Sequence, residues 1–321
     1  MANYVSRRES CRLCDSEKFI LVMPILPSPI ADAFVGHDKK NQVQPLIPLD
    51  LYQCQDCGHV QNLDIVNPDL LFRDYIFRTS KSAGLVKHFG QYADEVARDF
   101  NLPSNSFVLE IGSNDGTLLQ FFKDKNMRVQ GVDPALNIAK LASEDGIPTV
   151  PEFFTAELAE KILQGQGPAK LVLANNVFAH ADQLEDVTQG IATILDRDGI
   201  FVFEVSYLLD IIDNFVFDTV YHEHLSYHSV DPFSRFFSKH GLHLFNIRRT
   251  QSKGGSFRGF VQRAGGPHSE ERIIREMIEE ETRRGLHQPK IFQEYEKRIL
   301  AYKSTLLEYL GEARKEGKSV V

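Results

Sequence analysis

The nine residues Val108-Leu109-Glu110-Ile111-Gly112-Ser113-Asn114-Asp115-Gly116 constrain this chain more than any others. An apolar run gives way to small and polar residues. An amphipathic segment, 117–125, follows at once, with Leu118, Leu119, Phe121 and Phe122 as its apolar members. The order predicts strand, tight turn, helix. Gly112 and Gly116 tolerate turn dihedrals that other residues resist, and they leave room for a ligand to approach the backbone. The helix N-terminus adds unpaired N–H groups.

A dinucleotide fingerprint would read G-x-G-x-x-G in this place. Here the pattern is E-x-G-x-x-x-G, with the Glu110 carboxylate at the end of the strand. A carboxylate aimed into such a pocket disfavours a pyrophosphate and suits a cation. In this the stretch resembles the first motif of the class I S-adenosylmethionine (SAM) methyltransferases, whose cofactor carries a sulfonium and an amino group. Glu110, Gly112, Ser113, Asn114, Asp115 and Gly116 are the resulting cofactor candidates. The alternative is an α/β turn that holds no nucleotide.

Four cysteines fall in two pairs, Cys11-Arg-Leu-Cys14 and Cys54-Gln-Asp-Cys57, with none left over. This C-x2-C…C-x2-C spacing predicts a tetrahedral Zn(Cys)4 site. Four thiolates leave no position open for water, so the zinc is expected to be structural. Two redox pairs or buried free thiols are the alternative. His37 and His59 read as ordinary surface histidines. The segment between the pairs carries Pro24, Pro27, Pro29, Pro45 and Pro48 and has little helix potential.

Charge and length narrow the classes. The chain has 321 residues and a formal net charge of −8, which argues against a nucleic-acid-binding surface. No apolar run approaches the ~20 residues that span a bilayer. The first residues lack the apolar core of a signal peptide, so a cytoplasmic location is the default expectation.

Three parts are expected: a zinc-stapled module over 1–70, a cofactor-binding domain over 71–265, and helices over 266–321. The module is too small to be held by burial alone, so metal is expected to supply much of its folding free energy. From Ser106 onward strands alternate with helices. Strands are read at 107–111, 128–132, 149–150, 171–174 and 200–205, with helices at 85–100, 156–163 and 183–195. This alternation predicts a parallel sheet covered on both faces. Helix 232–240 is expected to start with Asp231 as N-cap and Pro232 in the first turn. Strands 244–249 and 257–263 then form a late hairpin around Ser252-Lys-Gly-Gly255, the closing topology of class I methyltransferases.

Doubly wound sheets bind ligands at the carboxyl ends of their strands. Strand two ends at Asp133-Pro134, with Asp133 23 positions after Glu110, near the spacing at which an acid meets ribose hydroxyls. After strand three come Phe153 and Phe154, which could flank an adenine. After strand four come Asn175 and Asn176, in the run that ends at His180. A helix cap, core packing and a filled turn are the respective alternatives. Their coincidence at successive strand ends favours the cofactor.

The densest chemistry lies in 217–228. Asp218, Tyr221, His222, Glu223, His224, Tyr227 and His228 fall within eleven residues. A second metal must be considered, but H-E-x-x-H is absent. A general acid–base set fits better: His titrates near neutrality, Glu can orient it, and Tyr can hydrogen-bond a developing oxyanion.

The C-x2-C pairs, E-I-G-S-N-D-G, F-D-x-x-Y-H-E-H and K-G-G-S together resemble the sugar C-methyltransferase family over residues 11–265. The resemblance implies a substrate that is a nucleotide-linked 4-keto-deoxysugar, methylated at C-3 through an enolate. It implies His224 as base, Glu223 and Tyr221 in support, and Tyr75 as an active-site tyrosine. It implies cofactor contacts from Glu110, Gly112, Asp133 and Asn176. Members usually run longer, with a further domain over the substrate. A buried strand is expected to begin at Val320-Val321, which suggests a truncated chain. O- or N-methylation of a sugar or other small molecule is the rival activity. A non-catalytic zinc adaptor fits the intact motifs poorly.

Overall fold

The computed structural model describes residues 4–31 and 33–319. The strand expected at Val320-Val321 lies outside them. Seven strands form the main sheet: β1 (Phe107–Ile111), β2 (Arg128–Val132), β3 (Thr149–Val150), β4 (Ala169–Asn175), β5 (Leu195–Ser206), β6 (Leu242–Thr250) and β7 (Ser256–Arg263). Their order is β6-β7-β5-β4-β1-β2-β3. The five strands from β5 to β3 are parallel, and β7 joins β5 and β6 antiparallel. This is the class I SAM-methyltransferase sheet with its late hairpin.

The sequence explains the burial. β1 and the middle of β4, Leu171-Val172-Leu173, are near-continuous apolar runs and are buried on both faces. One face packs on α1 (Ala83–Asp99) and α2 (Thr117–Lys123) through Phe89, Tyr92, Val96, Leu118, Leu119 and Phe122. The other packs on α3 (Ala156–Gln166), α4 (Leu184–Ile194) and α5 (Val230–Lys239) through Leu158, Ile162, Val187, Ile191, Phe233 and Phe237. Strand order reverses between β1 and β4, so a crevice opens beyond their carboxyl ends.

The N-terminal residues build a second, antiparallel sheet from Phe19–Met23, Leu51–Cys54 and Val60–Asn62. Its fourth strand comes from far along the chain. Ser226–Tyr227 pairs with Val60–Asn62, Ser226 opposite Gln61 and Tyr227 opposite Val60. The cysteine module and the His/Glu/Tyr segment are therefore one packed unit. A short helix, Pro68–Phe72, leads out of the module, capped by the Asn67 side chain, which accepts from the Asp69 N–H at 3.0 Å. Two helices follow the main sheet, α6 (Arg272–Arg283) and α7 (Pro289–Lys315). Among the described residues no helix is long and apolar enough to cross a membrane.

One helix start departs from expectation. α5 begins at Val230, and Asp231 does not cap it; its carboxylate pairs instead with Arg235 at 2.6 Å. The cap comes from Glu281 on α6. Its two oxygens accept the Val230 and Asp231 N–H groups at 2.6 and 3.1 Å. A side chain fifty residues away satisfies the donors that a local residue usually covers. Replacing it strands the buried Val230 N–H and the part-buried Asp231 N–H. We expect Glu281→Ala to lower unfolding stability by about 1–2 kcal/mol in denaturant titration; an unchanged midpoint would mean that the cap does not hold α5.

Candidate active site and metal centre

A cavity of about 370 Å³ opens at the carboxyl ends of β1, β2 and β4. Glu110, Gly112, Ser113, Asn114, Asp133 and Pro134 line one end, and Phe153, Phe154, Asn175 and Asn176 flank it. Glu223, His180, Tyr75 and Lys253 line it as well. Its size suits a small-molecule site.

The glycine loop is shaped by its neighbours. Gly112 has φ 66°, and a Cβ there would come within 2.5 Å of Val177 Cγ2. Gly116, the N-cap of α2, has φ 75°, and its missing side chain makes space for Ile147 at 2.9 Å rather than for a ligand. Gly116 and Asp115 are not among the cavity-lining residues. Asp133 folds the loop: its carboxylate accepts the Asn114 N–H at 2.8 Å and the Ala135 N–H at 2.9 Å. Asn114 and Asp115 reach outward. Asn114 accepts from the Thr79 N–H at 2.9 Å and donates to Phe77 O at 2.9 Å, and Asp115 accepts from the Ser80 N–H at 3.0 Å. The hydroxyl-rich segment 75–82 is tied to the loop in this way.

Several buried polar atoms at this end have no hydrogen-bond partner of normal geometry among the described residues. They are Glu110 Oε2, Ser113 Oγ and both side-chain polar atoms of Asn175. Burial pushes the Glu110 carboxyl well above its ordinary pKa, and the nearby Asn175 amide offsets this in part. Burial likewise raises Asp133. A cationic ligand that brings amino or hydroxyl donors to the oxygens and an acceptor to Asn175 Nδ2 would satisfy these atoms. Phe153 lies under the Arg73 guanidinium, 4.9 Å from its ring centre. Phe154 is buried against Gly190, where a Cβ would meet it at 2.8 Å. Asn176 sits at φ 56°, its N–H held by Glu204 O at 2.8 Å.

The histidines of the dense cluster diverge. His222 turns to the N-terminal module and donates from Nε2 to Ile47 O at 3.2 Å. His224 Nδ1 lies 2.7 Å from Thr219 O. A carbonyl only accepts, so Nδ1 carries the proton and Nε2 keeps its lone pair, facing Tyr221 OH at 3.2 Å. Burial lowers the His224 pKa to about 4, so the ring is neutral near pH 7. Tyr75 and Glu223 line the cavity, whereas Tyr221 and His224 are not among its lining residues. The His180 and His224 ring centres are 4.8 Å apart. His180 Nδ1 lies 3.7 Å from Glu223 Oε2, and Tyr75 OH is 3.5 Å from the same oxygen. His180 and Lys253 carry no assigned role at the sequence level. Their signals were a histidine closing the segment after β4 and a lysine inside a Gly-Gly hairpin.

The four cysteine sulfurs lie within 4.8 Å of one another, with Cys11–Cys57 at 3.6 Å and Cys14–Cys54 at 3.5 Å. Tetrahedral Zn–S bonds of about 2.3 Å place sulfurs about 3.8 Å apart, so the donor set fits zinc. Hydrogen bonding from Cys11, then Cys57, pushes the Cys54 thiol pKa down. Gln61 Nε2 donates to Cys11 Sγ at 3.3 Å. His59 corrects its expectation of surface exposure. It is wholly buried, 3.2 Å from Ser226 Oγ and stacked on His228, because the strand Ser226–Tyr227 covers it.

Comparison with known proteins fits this geometry. Three family models match: "Putative zinc binding domain" over 11–72, "Methyltransferase domain" over 86–246 and "C-methyltransferase C-terminal domain" over 251–321. The C-methyltransferase NovU of Streptomyces niveus is 31% identical over 320 residues, covering 100% of this chain and 76% of NovU. The chain belongs to the C-methyltransferase family. Two solved structures are similar at lower identity. The Synechocystis PCC 6803 magnesium protoporphyrin IX methyltransferase ChlM, with bound SAH, is 15% identical (TM-score 0.44; 59% of this chain, 88% of that chain). The PH0226 protein of Pyrococcus horikoshii OT3 is 11% identical (TM-score 0.47; 58% and 94%).

The enzyme is thus a SAM-dependent C-methyltransferase with a four-cysteine zinc-binding cluster. Cys11, Cys14, Cys54 and Cys57 would hold the metal, and closed coordination gives it a structural role. Cys54→Ser is expected to abolish stoichiometric zinc in elemental analysis and to lower the thermal midpoint by roughly 5–10 °C. Full zinc content in that variant would contradict the assignment.

Proposed function

We propose that this enzyme methylates a carbon, C-3, of a nucleotide-linked 4-keto-deoxysugar through an enolate, with His224 as the base. Bound SAM supplies the electrophilic methyl, with Glu110, Gly112, Asp133 and Asn175 as its principal contacts. The sugar class rests on the motif resemblance. The carbon-acid chemistry rests on the reaction type: a C–H bond is not nucleophilic, a neighbouring ketone acidifies it, and a positioned base contributes typically ~10²–10⁴-fold.

The observation that carries the reading is the tautomer of His224. Thr219 O fixes Nδ1–H, leaving Nε2 as the basic atom. Burial keeps it unprotonated. Tyr221 supports Nε2, and Glu223 and Tyr75 present polar groups to the cavity. His180 lines the cavity and packs edge-on against His224, which does not line it, so the proposal requires His180 to swing aside or to relay the proton. A second reading follows from His180 itself, which lines the cavity with Glu223 3.7 Å from its Nδ1. In that reading His180 is the base and Glu223 orients it.

His224→Ala is expected to abolish turnover while leaving SAM affinity, measured by calorimetry, within about twofold, and to stop exchange of the sugar C-3 proton with deuterated water in the absence of SAM. Exchange that persists in His224→Ala and is lost in His180→Ala would favour the second reading. Loss of SAM binding together with turnover would make His224 structural.

The pH profile is a separate check. The active form is the neutral imidazole, present above its pKa. With that pKa near 4, the acid limb of kcat/KM should lie well below 6.5. The folded pKa is below the unfolded one, so the native state also loses stability as pH falls from 6.5 toward 4. Initial rates on enzyme that circular dichroism shows to be folded separate the two effects. A limb at 6.5 or above would argue against a desolvated His224 as base.

A further inference from the structure

The hairpin between β6 and β7 is built around a lysine that a turn does not need. Lys253 has φ 50° and ψ 37°, a left-handed conformation that side chains with a Cβ disfavour. Gly254 and Gly255 follow at φ 81° and 128°. A Cβ on Gly254 would come within 2.7 Å of Val216 Cγ2, and one on Gly255 within 2.4 Å of Asp210 Cβ. Asn214 donates to Gly254 O at 2.8 Å, and Ser256 Oγ donates to Ser252 O at 3.0 Å. The turn is therefore locked onto 208–216. Left-handed turn positions usually go to Gly or Asn. Here such a position carries Lys, and the side chain lines the cavity alongside Glu223 and His180.

Its surroundings suit a cation that meets an anion formed during reaction. Among the described residues its ammonium is in no ion pair of 4.0 Å or less. Lys253 is exposed to solvent on one side, yet the protein packed around it desolvates the ammonium enough to disfavour its charge, opposed by Glu223 and then Glu204. Its charge in turn disfavours protonation of His180 and His224. A cation beside neutral imidazoles stabilises the product of proton removal without being neutralised beforehand.

We propose that Lys253 is a catalytic residue whose ammonium stabilises the oxyanion formed on the substrate carbonyl when the adjacent carbon is deprotonated, an assignment that rests on the enolate reading above. The proton passes to the base. The C–H pair becomes the C=C bond, and the carbonyl π pair moves onto oxygen beside Lys253, which keeps its own protons. When the carbon takes the methyl, the C–C bond forms, the C–S bond breaks with its pair left on sulfur, and the carbonyl is restored.

The test compares wild type with Lys253→Met, Lys253→Gln and Lys253→Arg, all with SAM and a thymidine-diphosphate 4-keto-deoxysugar. Met and Gln should lower kcat by roughly 10²–10³-fold. KM and SAM affinity should stay within about threefold of wild type, and SAM-independent deuterium uptake at C-3 should fall with kcat. Arg, which retains the charge, should recover part of both rates. The assignment is overturned if KM rises with kcat unchanged, as for an anchor of the diphosphate. It is also overturned if SAM affinity collapses, or if deuterium uptake persists. Two non-isosteric neutral variants guard against a folding defect in one. A wild type that neither exchanges nor methylates the sugar removes the enolate reading and this assignment together. An active wild type matched by its Met variant removes this assignment alone.

Discussion

Ser226 and Tyr227, just after His224 and Leu225, are held as the edge strand of the cysteine module's sheet. The Asn62 N–H adds a bond to Leu225 O at 3.0 Å, and His222 reaches Ile47 O. Arg12, inside the first cysteine knuckle, closes the arrangement. Its guanidinium is buried and donates to Asn62 O at 2.6 Å, Gln61 Oε1 at 3.1 Å and Leu225 O at 3.4 Å, with Asp182 at 3.0 Å. Burial pushes its pKa down to about 10, still charged near neutrality. A buried guanidinium is tolerable only when its donors are used in this way. Gln61, which accepts from Arg12, also donates to Cys11 Sγ. Cysteine cluster, knuckle, edge strand and histidine segment are consecutive links in one hydrogen-bonded assembly.

Opposite that assembly the parallel sheet supplies a different electrostatic surface. Glu110 and Asp133 are buried acids whose carboxyls are raised by desolvation, waiting for a cation. His180 and His224 are imidazoles held neutral by burial. In the proposed reaction one cavity joins an end that favours positive charge to an end lined by His180, with His224 packed against it, where a proton can be accepted. Methyl transfer to carbon needs both, because the nucleophile exists only after proton removal.

Much of this was legible in the sequence. β1, β2 and β3 have the bounds read from the sequence, 107–111, 128–132 and 149–150. The E-x-G-x-x-x-G loop and the cysteine spacing are local patterns, and local physics decides them. What escaped was set by distant partners. Asp231 looks like a cap, but Glu281, from α6, takes the two N–H groups. His59 looks like a surface residue until a strand from 226–227 covers it. Asn114 lines the cavity, and its side chain, with that of Asp115, also holds the segment 77–80, a contact that no local pattern announces. The layering of His180 over His224 depends on how the segment after β4 meets the segment before α5, and no periodicity encodes that.

The proposed reaction makes a carbon nucleophilic beside a carbonyl. Incubating the enzyme with SAM labelled with carbon-13 in its methyl group and a thymidine-diphosphate 4-keto-deoxysugar, then following the label by NMR, tests this most directly. The account predicts a labelled methyl bonded to the ring carbon next to the keto group. A label found on oxygen or nitrogen would contradict it.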